Sequence, residues 1–214
     1  ASAGITVNGG RLNVGTGAAV SDVNQNSGTV SGGGLIDGNL VQNSGVLAPG
    51  NSPGTLFVGG NATWNGGSYL WEVTTVSSGT PGTDWDYVDI TGTLTIGLGY
   101  TVNVDDLNAL PGWNSENNYS WLIATADGGI SGFGNLGLSV SGFNENPYGG
   151  SFALNQVGND IFLDYTGAPL GPGPGPSAVP EPNALSLTML AGLLLVSFRQ
   201  KMRQMRRQLT ASAA

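Results

Sequence analysis

The chain has 214 residues, with 6 Lys+Arg against 14 Asp+Glu, 37 glycines, and neither cysteine nor histidine. These counts exclude a disulfide framework, a structural zinc site, His-based triads and thiol nucleophiles, and the negative charge argues against nucleic acid as a partner. Abundant glycine and only 9% charged residues predict many tight turns and no long helix before residue 183, in a chain long enough to bury a core.

The sequence opens Ala1-Ser2-Ala3-Gly4, with no initiator methionine and no apolar leader. The expectation is a removed signal peptide or the C-terminal piece of a longer protein. Weak repeats follow. Asn26-Ser27-Gly28 returns 17 positions later as Asn43-Ser44-Gly45, and Asn65-Gly66-Gly67 follows 22 positions after that. Gly38-Asn39 likewise returns 22 positions on as Gly60-Asn61. Short β-type segments lie between these turns: Thr29-Val30, Leu35-Ile36, Leu40-Val41, Val46-Leu47 and Leu56 to Val58. A unit of that length suits one rung of a β-solenoid, which buries its apolar face only by stacking on its neighbours and needs a cap at its end. A β-sandwich with glycine-rich hairpins is the alternative.

Leu47-Ala48-Pro49-Gly50-Asn51-Ser52-Pro53-Gly54-Thr55-Leu56 contains two Pro-Gly pairs, each suited to the centre of a type II turn. This stretch resembles the repeat signature of autotransporter passenger regions. Asp86 to Gly92, Trp121 to Gly132 and Asp160 to Tyr165 resemble later segments of the same families. The resemblance spans about residues 26 to 166 and implies a parallel β-helix; its motifs are degenerate and carry fold more than activity.

From Val88 to Val104 every even position except Gly92 is apolar, the pattern of strands with one buried face, with Gly92, Gly97 and Gly99 marking bends or bulges. Acids cluster at Asp84, Asp86, Asp89, Asp105 and Asp106. Two of them could form a glycosidase pair. Up to residue 198, however, the only cation is Arg11 and there is no lysine, so catalysis ranks last and no catalytic residue is assigned. Asp84, Asp86 and Asp89 have a spacing compatible with Ca²⁺ but lack the central glycine and closing glutamate of an EF-hand loop. A solvated acidic face is the preferred reading, and no metal or cofactor is implied.

Gly132-Phe133-Gly134-Asn135-Leu136-Gly137 matches GxGxxG, but alternation after it predicts a strand where a nucleotide site needs a helix. Five tryptophans (Trp64, Trp71, Trp85, Trp113, Trp121) either pack the core or stack on sugar rings. Asn61-Ala62-Thr63 and Asn118-Tyr119-Ser120 are formal glycosylation sequons.

Near Thr166 the composition changes. Residues 167–182 hold six prolines, and Gly171 to Pro176 alternates Gly and Pro, the composition of an extended, semi-rigid stalk. It ends in Val179-Pro180-Glu181-Pro182, where each proline holds the residue before it extended, so the chain presents the Glu181 carboxylate on an open peptide. Residues 183–198 follow, with eleven apolar side chains and no charge. As a helix of about 1.5 Å rise per residue the run spans roughly 24 Å, slightly short of a bilayer core. The basic cluster Arg199, Lys201, Arg203, Arg206 and Arg207 comes next. It predicts a cytoplasmic tail and an acidic body on the far side of the membrane.

Short motif, apolar run and cations, in that order, resemble the PEP-CTERM sorting signal of exported proteins in Gram-negative bacteria that make exopolysaccharide. The resemblance covers about 30 residues. It implies recognition and processing by exosortase, a membrane enzyme with a catalytic cysteine, and a final place at the cell surface or in the extracellular matrix, with exopolysaccharide as a neighbouring partner. The expected organisation is an all-β protein: parallel solenoid rungs in 1–82, a C-terminal β region in 83–166 acting as cap, a linker over 167–182, a transmembrane helix over 183–198 and a basic tail over 199–214. The expected role is that of a non-enzymatic surface or matrix protein, with an adhesin or glycan-binding module as the alternative and a glycan-cleaving enzyme as the remote one.

Overall fold

A computed structural model describes residues 4–76, 79–107, 110–145 and 149–169, and these fall within one compact unit. The sorting motif, the apolar run and the basic tail lie outside the described residues.

The described chain is nearly all β, with curled parallel sheets. Its strands are β1 (Ile5–Asn13), β2 (Ala19–Val20), β3 (Val23–Gly32), β4 (Leu35–Ile36), β5 (Leu40–Gln42), β6 (Val46–Pro49), β7 (Thr55–Val58), β8 (Ala62–Trp64) and β9 (Gly67–Glu72). They continue as β10 (Tyr87–Ile90), β11 (Leu94–Ile96), β12 (Tyr100–Asp105), β13 (Tyr119–Ala126), β14 (Ile130–Ser131), β15 (Gly137–Gly142), β16 (Ser151–Val157) and β17 (Asp160–Thr166). One sheet runs β2-β4-β7-β10-β13 in parallel and is extended by the antiparallel pair β17-β16. The other folds around the middle of β3, whose Val23–Gln25 end pairs with β5 and whose Thr29–Gly32 end pairs with β6. From there β8, β11 and β14 extend one wing and β9, β12 and β15 the other.

Each turn of the chain therefore visits three strand positions and returns one strand spacing further on. Alternation decides what lies inside. The row Val20, Ile36, Val58, Ile90, Ala126 is in register across one sheet, and Val30, Leu47, Tyr69, Val102 across the other, with nearly every member buried. Burying each Val, Leu or Ile stabilises the stack by about 1.5–3 kcal/mol, and only stacking provides that burial.

The expected alternation of residues 88–104 holds through three separate strands, β10, β11 and β12. It fails at Leu98, which is 82% exposed, because residues 97–99 form a corner where the inside-outside sense is reset. Gly99 in that corner has φ +84°, a backbone conformation L side chains avoid. Of the two Pro-Gly pairs, Pro49-Gly50 has the left-handed glycine a type II turn requires, with Gly50 at φ +73°. The second does not: Gly54 is outside the left-handed region and the Ser52–Pro53 peptide is cis.

The repeats noted in the sequence are corners stacked on one another. At one corner the asparagine side chains form a ladder: Asn26 Nδ2 donates to Asn8 Oδ1 (2.8 Å), Asn43 Nδ2 to Asn26 Oδ1 (3.0 Å) and Asn65 Nδ2 to Asn43 Oδ1 (2.9 Å). At the next corner, backbone N–H groups of Asn39, Asn61 and Thr93 donate to Asp22, Asn39 and Asn61 respectively, at 2.7, 2.8 and 2.9 Å. Gly45 sits between the Asn corners with φ +88°, and a Cβ there would collide with the Gly28 carbonyl and lie 2.8 Å from Gln25 Nε2.

Candidate functional site

The acids are spread through the fold. Asp84 turns into its own loop, where Oδ2 accepts from the Thr80 N–H at 2.7 Å. Asp86 is fully buried, which corrects the reading of Asp84, Asp86 and Asp89 as one solvated face. Its Oδ1 accepts from Gly54 N–H at 2.8 Å and its Oδ2 from Glu72 N–H at 3.2 Å, so it ties the Pro-Gly turn to the end of β9. Burial pushes its carboxyl up to about 8 against the two N–H donors, with Glu72 adding like charge. Asp106, also fully buried, accepts from the Asn144 N–H (2.7 Å), Asn144 Nδ2 (2.6 Å) and Glu145 N–H (2.9 Å), fastening the segment that follows β15 one turn further on. Among the described residues no group of three or more Asp, Glu, His or Cys could hold a metal ion, so the spacing Asp84, Asp86, Asp89 does not become a coordination sphere.

All five tryptophans pack against the core or its partly buried rim. Trp64, Trp71 and Trp121 are fully buried and Trp85 nearly so, with Trp64 stacked on Tyr100 (4.7 Å, 11°) and Trp71 tilted against Trp121 (5.6 Å). They are core. Trp113 is half-buried and packs on Tyr119, Phe143 and Tyr165, beside the antiparallel β16–β17 pair. The GxGxxG segment forms a short 3-10 turn, Phe133–Asn135, before strand β15. Buried Gln25 and Gln42 escaped the sequence reading. Their Nε2 groups each bridge two carbonyls, Gly28 and Val46 for one, Gly45 and Ser68 for the other. The signal for them is the repeat Gln-Asn-Ser-Gly, one residue longer than the Asn-Ser-Gly noted above.

Grooves open on the outer faces, two of them beside the features described above. One, of about 510 Å³, lies across β2, β4, β7 and β10, and its floor is the in-register row Ala19, Leu35, Phe57, Asp89. Phe57 is 43% exposed, the one aromatic among the exposed large apolar side chains of the described residues. Asp89 is half-buried, and desolvation together with Asp127 raises its pKa. The other groove, of about 530 Å³, lies beside the Pro-Gly turn, where Arg11, Ser52 and Glu72 meet. Arg11 Nε donates to Ser31 Oγ at 2.7 Å, and burial pushes the Glu72 carboxyl up while Ser52 and Arg11 oppose that shift.

The residues assigned to sorting (Val179, Pro180, Glu181, Pro182) and to the basic stop (Arg199, Lys201, Arg203, Arg206, Arg207) lie outside the described residues. Among the described residues no helix is long and apolar enough to cross a membrane. No protein-family model matches the chain, and no curated protein matches it.

Proposed function

We infer that the protein is a non-enzymatic exported surface or matrix protein. Its body is a three-sided parallel β-solenoid closed by the antiparallel β16–β17 pair as a cap. A Pro/Gly linker joins that body to a membrane helix over 183–198, and exosortase recognises the Pro180-Glu181-Pro182 motif on the outer side. The observation that carries this reading is the order of motif, uncharged apolar run and five cations at the C-terminus. The reading is supported by a body whose polar side chains largely serve its own corners: asparagines in ladders, and buried aspartates on backbone N–H groups.

The test is expression in a host with exosortase and in the same host without it. The expected result is release of the body by a cut near residue 182 only where exosortase is present, and retention of the full chain when Pro180, Glu181 and Pro182 are replaced by alanine. Mass spectrometry of the released protein locates the cut. Equal retention in both hosts rejects the reading. The exposed groove around Phe57 favours glycan binding as a second property of the same body.

A further inference from the structure

We propose that the groove across β2, β4, β7 and β10 binds one strand of an amine-bearing hexose polymer, with Phe57 as the stacking platform and Asp89 as the partner of the sugar's ammonium group. Its floor is a row of one residue per turn, Ala19, Leu35, Phe57, Asp89, held in register by parallel pairing. Adjacent strands lie ~4.8 Å apart, so the row runs roughly 14 Å across the sheet. One strand spacing is close to the advance of one hexose in an extended chain. A glycan lying across the strands thus meets a new row residue with each sugar, apolar for three steps and acidic at the fourth.

The chemistry of the walls agrees with that occupant. A pyranose has an apolar C–H face and a polar rim, and the groove has an exposed ring in its floor with the hydroxyls of Thr16 and Thr91 at its edges. Its volume, about 510 Å³, falls in the range of ligand clefts, with few polar groups converging on an apolar floor. Charge selects among glycans. The Asp89 carboxylate takes no hydrogen bond from the described residues and stands near a second carboxylate, Asp127, so an incoming cation relieves repulsion. A uronate or sulfated chain would instead add negative charge beside it in a body whose only cation, Arg11, lines the other groove. An ammonium group close to the Phe57 face gains further attraction from the ring.

This deepens the surface-protein reading and rests on it only for where the glycan is met; binding by the purified chain is independent of sorting. The experiment is titration of the full chain in detergent micelles with three oligosaccharides of equal length: a chito-oligosaccharide with free amines, a cello-oligosaccharide and an oligoalginate. The amine-bearing chain should bind at least about tenfold more tightly than the neutral one, a difference of about 1.4 kcal/mol, and the uronate should not bind. Phe57→Ala should lose about tenfold for both binding chains, Phe57→Tyr should retain affinity within about twofold, and Asp89→Asn should abolish the preference for the amine. Thermal melts of the variants, all at outward positions, verify folding. No binding by any of the three, equal affinity for neutral and amine chains, tightest binding of the uronate, or affinity unmoved by Phe57→Ala in a folded variant would each overturn the proposal, while leaving exosortase sorting to its own test.

Discussion

The early turns of the chain and the late ones use the same three strand positions but hold themselves together differently. Up to β9 the register offsets between neighbouring turns are 18, 17 and 22 residues; later they rise to 32 and 36. Most of the added residues leave from one corner, between β9 and β10, β12 and β13, and β15 and β16. The early turns are tied by asparagine ladders at short corners. From β8 onward the interior is filled by large aromatics, and the long corner loops of the late turns are held by the buried carboxylates Asp86 and Asp106. Lengthening is tolerated at one corner because the strand ladder on either side keeps its register, while Asp86 ties the β9–β10 connection to Gly54 and Asp106 ties the start of the β12–β13 connection to Asn144 and Glu145.

The difference can be broken first at the aromatic filling. Trp71 is fully buried against Trp121, and its Nε1 has no hydrogen-bond partner, so truncation removes packing alone. Trp71→Ala should cost about 3–5 kcal/mol in chemical denaturation. A loss below about 1 kcal/mol would mean the stack does not depend on the aromatic interior that joins β9 to β13.

Next comes the acid anchor. Asp86 rises from 3.8 to about 8 on folding, so the folded chain holds this proton more tightly than the unfolded one. Its contribution is fully present below pH ~4 and is lost as pH rises through about 8. Glu72 and Asp89 are raised as well and act in the same direction. Melting temperature should therefore fall between pH 5 and pH 9, and Asp86→Asn should flatten part of that fall by more than about 1 kcal/mol at pH 9 relative to pH 5. A variant whose pH profile overlays the wild type shows that Asp86 is not the group responsible.

The smallest effect belongs to the ladders. Asn43 donates to Asn24 and Asn26 and accepts from Asn65 at an exposed corner. Asn43→Ala should cost about 1 kcal/mol, and the same loss should appear with Asn26→Ala without adding fully in the double variant, since the two share a bond. Full additivity in denaturant titrations would separate them and dissolve the ladder into independent contacts.

Much of the architecture was legible because it is periodic. Alternation at Val88, Ile90, Leu94, Ile96, Tyr100, Val102 and Val104 named the buried face, and the Asn-Gly repeats marked the corners. The site was less legible. Leu98 continued the alternation and faces solvent, whereas Asp86, read with Asp84 and Asp89 as a solvated face, is buried; both errors arise where the chain leaves a strand and local period stops reporting burial. Sequence does not separate core from ligand contact for the tryptophans because an indole suits either place. Nothing local marks Phe57, whose surroundings depend on neighbours 22 and 32 residues away.

Residue order alone determined that this chain makes short strands between glycine corners, that its apolar side chains fall on one face of them, and that an uncharged apolar run and five cations end it, because period, backbone freedom and charge are local properties. Only the tertiary structure decided that the strands pair in parallel from turn to turn, that one sheet bends at the middle of β3, that Asp86 reaches across to Gly54, and that Ala19, Leu35, Phe57 and Asp89 line up as one row. Those facts depend on register between segments tens of residues apart, which is set by the joint burial of all the turns and by no one of them.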